Sequence, residues 1–205
     1  MRNMLLAAAL SVACAISAVA QETLMPSFDA PYRAFRAHEA GLLLSFPSGN
    51  TASGGTAVEG EYRYGHKTLD FGFRGGFWSP GGGANTVILL GGEVRERVLT
   101  HNDAFPLDGA IAVGLGADLV SNANTFVIPA GLSLGRRIDI KDSPVVITPF
   151  GEPVLFITTG QNQSTTVHFA LGLGADFRLS PSFEVRASGG LGDIEGISLG
   201  AVWIK

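Results

Sequence analysis

One cysteine, Cys14, is all the chain has, and it lies within the first 20 residues. A disulfide framework is therefore excluded, and no Cys or His cluster has the spacing of a metal site. Charge is also scarce: Asp, Glu, Lys and Arg make up 16% of the residues, against about 25% in soluble domains. Net charge is −4 and no basic stripe occurs, so nucleic acid is not an expected partner. After the N-terminal segment no apolar run approaches the roughly 20 residues of a membrane helix. Gly81-Gly82-Gly83 lacks a following Lys-Ser/Thr, so it is no phosphate loop. Gly114-Leu115-Gly116-Ala117 and Gly172-Leu173-Gly174-Ala175 fall inside strand-like segments, where a dinucleotide fingerprint has no helix to open. No cofactor is expected.

What the chain has is glycine, 28 of 205 residues, and a positive mean hydropathy. A hydrophobic chain without spanning helices can still cross a membrane as a closed barrel, because closure satisfies every backbone N–H and C=O. The N-terminus reads as an export signal. Arg2 supplies the positive region, residues 4–16 the apolar region, and Ala18-Val19-Ala20 an A-x-A site. Cleavage is expected after Ala20. Cys14 faintly resembles a lipoprotein site, but Ser11 stands where that box prefers Leu. Residues 21–39 form a lead segment on the periplasmic side. Asp29 and Pro31 suggest a short helical turn, with Tyr32 and Phe35 on one face. The segment is expected to be poorly ordered, or to be a small helix that closes a barrel mouth.

From residue 40 to 205 the period is two. Val167, Phe169, Leu171, Leu173 and Phe177 alternate with His168, Ala170, Gly172, Gly174, Asp176 and Arg178. Val58, Tyr62 and Tyr64 alternate with Glu59, Glu61 and Arg63; Leu69, Phe71, Phe73 and Phe77 alternate with Asp70, Gly72 and Arg74. Such alternation marks strands with one apolar face. Nine turn-like connections imply ten strands, with eight as the alternative count. Pro149 and Pro153 interrupt the segment 144–157, so irregular closure is expected there. The fold class is all-β: a closed, antiparallel, up-and-down transmembrane β-barrel. Long strands, a polar face of small residues and aromatics near strand ends (Tyr62, Tyr64, Phe77, Trp78, Phe177, Phe183, Trp203) favour a membrane barrel with its apolar face outward. The alternative is a soluble periplasmic barrel with that face inward around a hydrophobic ligand.

The signal segment, the glycine-rich meander and the final strand Gly196-Ile197-Ser198-Leu199-Gly200-Ala201-Val202-Trp203-Ile204-Lys205 resemble small bacterial outer-membrane β-barrel proteins of the OmpA/OmpX type. The likeness covers residues 40–205. It implies a location in the Gram-negative outer membrane, contact with outer-membrane lipid, and insertion by the barrel-assembly machinery. Here Trp203 is followed by Ile204 and Lys205, whereas members of that group often end in an aromatic residue.

The expected lumen carries Glu59, Glu61, Arg63, Asp70, Arg74, Glu93, Arg95, His168, Asp176, Arg178, Glu184 and Arg186. Both signs are present, so cross-strand ion pairs should fill the interior. A porin-like path for small solutes, with weak selectivity, is the functional alternative to that structural role. Catalysis has one candidate, His101 with Asp103, where a His–Asp pair can activate water. Barrel hydrolases present their sites on the outer side, whereas this pair falls on the periplasmic side. The chain is therefore not expected to be an enzyme.

Overall fold

A computed structural model describes residues 22–32, 37–48, 54–121, 123–161 and 163–205. The expected signal peptide, Cys14 and Phe35 lie outside the described residues. The alternating segments form β1 (His38–Ser48), β2 (Thr56–His66), β3 (Leu69–Ser79), β4 (Val87–Leu99), β5 (Asp108–Leu119), β6 (Thr125–Gly135), the two-residue β7 (Ile138–Asp139), β8 (Val146–Gly160), β9 (Gln163–Ser180), β10 (Phe183–Gly192) and β11 (Glu195–Ile204). All pairings are antiparallel between neighbours in sequence, β6 pairs with β8, and β11 returns to pair with β1. The result is a closed ten-stranded meander, with β7 as a small flap on β8. Closure leaves no free sheet edge among the ten long strands.

Both ends of the strand series, His38 and Ile204, lie at one rim, here called the terminal rim. The turn around Ser79–Val87 and the starts of β6 and β9 lie at the opposite, far rim.

Proline marks the irregular places. Between β5 and β6 the register breaks across Ile128 and Pro129, and between β6 and β8 it breaks across Glu152 and Pro153. Proline has no N–H to give to the ladder. Pro149 sits in continuous pairing with Ala175 of β9.

The two faces separate cleanly. Leu42, Val58, Phe73, Phe77, Leu115, Val167, Ile197 and Leu199 are exposed on the outside. Glu59, Arg63, Asp70, Arg95 and Arg186 are buried inside. The apolar face points outward and the charges inward, the reverse of the arrangement that the soluble-barrel alternative expects. The aromatics mostly follow the girdle pattern. Tyr62 meets His38 at the terminal rim, Oη to Nδ1 2.6 Å, and Phe183 packs on Trp203 with ring centroids 5.7 Å apart. Trp78 departs from it. Its side chain turns inward at the far rim, where Nε1 donates to the Gly54 carbonyl at 3.0 Å.

Residues 22–32 hold the main departure from the sequence reading. They form neither a helix nor a segment outside the barrel: they run inside it. From Tyr32, beside Asp108 at the terminal rim, the chain rises past Asp29 to Met25. There Met25 packs with Ala57, Val87 and Leu89 towards the far rim. Phe28, 1% exposed, packs with Val154, Phe156, Ala170 and Ile194. The barrel core is thus built around a strap of its own chain.

Candidate functional site

Among the described residues most of the buried polar side chains line the lumen, and Asp29 of the strap is at their centre. One carboxylate oxygen, Oδ2, accepts from Arg63 Nη2, while Oδ1 accepts from Arg186 Nη1 at 3.2 Å. Arg74 and Arg95 lie farther off, at 3.7 and 4.0 Å. Arginines from β2, β3, β4 and β10 therefore converge on one strap residue. Each guanidinium is also held by strand carboxylates. Arg63 pairs with Asp70 at 3.1 Å and with Glu93. Arg95 pairs with Asp70 at 2.6 Å. Arg186 pairs with Glu61 at 2.8 Å and Asp176 at 3.3 Å. Glu61 and Arg74 are direct cross-strand partners, 3.5 Å apart. Planar forks that donate to several carboxylates suit such a network better than lysine would.

The strap backbone is satisfied by lumen side chains. Arg74 Nη1 donates to the Ser27 carbonyl at 3.1 Å and to Ser27 Oγ at 2.8 Å. Arg95 Nη1 donates to the Ala30 carbonyl at 3.0 Å. Phe28 N–H donates to Ser188 Oγ at 3.1 Å, and that hydroxyl donates to the Pro26 carbonyl at 2.9 Å. Asp29 N–H donates to Glu152 Oε2 at 3.1 Å, and Ser133 donates to the Asp29 carbonyl. An irregular segment can be buried only if its polar backbone finds such partners.

The structure places nine of the twelve sequence-predicted lumen residues deep inside: Glu59, Glu61, Arg63, Asp70, Arg74, Glu93, Arg95, Asp176 and Arg186. His168, Arg178 and Glu184 are half-buried. Glu184 lies 3.7 Å from Arg186. His168 stacks on Phe156 and sits 3.0 Å from Thr158 Oγ1 near the far rim. Sequence reasoning missed Glu22, Asp29, Glu39 and Glu152 as interior acids. With Asp108 and Asp118 included, eleven carboxylates and four guanidiniums are buried among the described residues. The interior is acidic, rather than balanced as the strand pattern implied.

The glycines carry the signal that was available. A Cβ on Gly116 would overlap the backbone of Glu22, and one on Gly172 would overlap the Phe28 ring. Inner-face glycines on β5 and β9 leave space that no strand side chain fills, and the strap occupies it.

At the terminal rim His101 pairs with Asp108, not with the sequence-nearer Asp103. His101 Nδ1 is 2.6 Å from Asp108 Oδ2, and its backbone N–H donates to Oδ1 at 3.0 Å. The Tyr32 hydroxyl donates to the same carboxylate. This group latches the strap to the mouth. Burial, with the Asp108 hydrogen bond second, pushes the Tyr32 hydroxyl up to about 12.

No protein-family model matches the chain, and no curated protein matches it. Among solved structures it is similar to a de novo designed transmembrane β-barrel, at 13% identity over 87% of this chain and 98% of that one, with TM-score 0.39. It is also similar to the β-domain of the Bordetella autotransporter BrkA, at 16% identity over 82% of this chain and 96% of that one, with TM-score 0.46.

Proposed function

We propose that this protein is a small outer-membrane β-barrel, broadly of the single-chain OmpA/OmpX kind but with ten strands, held shut by its own strap and serving a structural role in the membrane. The observation that carries this reading is the pairing of an apolar outer face with an occupied lumen. Leucine, phenylalanine and valine cover the outside of a closed ring of strands, which suits lipid and not water. Inside, the gaps among Glu22, Ser27, Phe28, Asp29, Arg74, Glu93 and Glu152 are too narrow for a water molecule. A standing porin-like path through mid-barrel therefore has no room while the strap is seated. In this reading the chain is not an enzyme, needs no cofactor, and has outer-membrane lipid and the barrel-assembly machinery as its partners. The terminal rim faces the periplasm.

Cell fractionation and planar-bilayer recording test this together. Recovery with the outer membrane, extractable only by detergent, and an electrically silent purified protein are expected. Recovery in the soluble periplasm overturns the location. Steady conductance from the intact chain overturns the structural role.

A further inference from the structure

Above the strap, towards the far rim, lies a cavity of about 480 Å³, within the range of roughly 300–1,000 Å³ that ligand sites occupy. Leu24 of the strap lines it, and Trp78 forms an aromatic wall. Thr125, Thr158 and His168 supply polar contacts. Asp118 of β5 points into it. The residue is buried, at 8% exposure, and its Oδ1 has no hydrogen-bond partner among the described residues. No lysine or arginine of the described residues lines the cavity. The cavity is therefore partly apolar, partly hydroxylated and acidic through Asp118, with an aromatic face.

We propose that this far-rim cavity binds a small organic ammonium ion, with Asp118 as counter-charge and Trp78 as the ring beside the cation. A cation offsets the charge of a buried carboxylate, which a neutral or anionic ligand cannot do. Indole is the best of the side-chain rings for contact with an ammonium group. Leu24, Val87 and Val120 accept the alkyl part. His168 is already engaged, with Thr158 on one ring nitrogen and Asp193 at 3.6 Å from the other, so the acid left for a ligand is Asp118. The site needs only the closed barrel and the seated strap, and it stands apart from the membrane location proposed above.

The test uses the full chain in a maltoside detergent, carrying Trp203→Phe so that Trp78 alone reports by fluorescence. The probes are choline and its uncharged isostere 3,3-dimethyl-1-butanol. Choline should give a saturable change, with the isostere weaker by about tenfold or more, as expected when the contact of a cation with a carboxylate and an indole ring is lost. Asp118→Asn should weaken choline by a similar factor. Thr125 faces Asp118 directly in the β5–β6 register, so Thr125→Lys should weaken it too, by presenting a tethered cation. That second variant keeps the carboxylate and decides the matter if Asp118→Asn does not fold. No response to choline, equal response to choline and isostere, or full choline binding in a folded variant overturns the proposal.

Discussion

At the scale of the residue, Asp29 concentrates the most consequence in one side chain. It anchors the strap to Arg63 and Arg186 directly, with Arg74 and Arg95 close by. Arg63 and Arg186 keep strand carboxylates when Asp29 is neutralised, so what is lost is the charge assistance of their hydrogen bonds to the strap. Asp29→Asn is therefore expected to destabilise the folded barrel by about 1–3 kcal/mol. Urea unfolding of the barrel reconstituted in vesicles measures it; an unchanged midpoint rejects the hub role. Tyr32 gives a second residue-level prediction. Its ordinary value is 10.0 and the folded value is about 12, so the folded chain keeps a proton that the unfolded chain releases between those values. The associated stability is intact below about pH 10 and is lost as pH rises through about 12. Ultraviolet titration should show a late tyrosine step that is absent in Tyr32→Phe. Asp108→Asn should advance it only in part, since burial is the larger cause.

At the scale of the element, most strands were legible because a period of two is written in them, while the segment 144–157 with Pro149 and Pro153 was ambiguous. Glu59, Glu61 and Arg63 between Val58, Tyr62 and Tyr64 leave no other arrangement in a membrane. Phe73→Arg tests that face. Phe73 is 64% exposed near the middle of β3, and a midplane arginine on a lipid face costs about 2–4 kcal/mol. Refolding yield into vesicles should fall accordingly, and an unaffected yield contradicts the outward assignment. The strap was not legible. Residues 22–32 have no period, because an irregular segment satisfies its backbone through distant side chains such as Ser188 and Glu152. Asp29 beside Pro31 looks like a helix cap when those partners are unknown. The inner-face glycines were visible, but their meaning depends on what passes over them. Gly116→Val should unseat the strap, because the added atoms meet the Glu22 backbone. The variant should become open to proteolysis within residues 22–32 while its strands stay protected. Unchanged resistance shows that the strap tolerates the intrusion.

At the scale of the whole molecule, the buried charge is lopsided, with eleven carboxylates against four guanidiniums among the described residues. Alternation placed both signs inside but could not weigh them, since Glu22 and Asp29 come from the strap and Glu39 and Glu152 from strands without a plain polar face. If Gly116→Val opens a path, that path should favour cations over anions in a planar bilayer, because a pore lined by one sign of charge concentrates counter-ions. An anion preference shows that the arginines, freed from Asp29, dominate the opened lumen. The reach of the strap's contacts also sets an order of events in time. Asp29 meets Arg63 across 34 residues, whereas it meets Arg186 across 157, and Phe28 meets Ser188 across 160. Contacts near in sequence close quickly and distant ones slowly. The first strands can thus gather on the strap while the last are still unformed. The strap then acts as a mandrel: the sheet curls around it, and the seam between β1 and β11 is the last to be sewn.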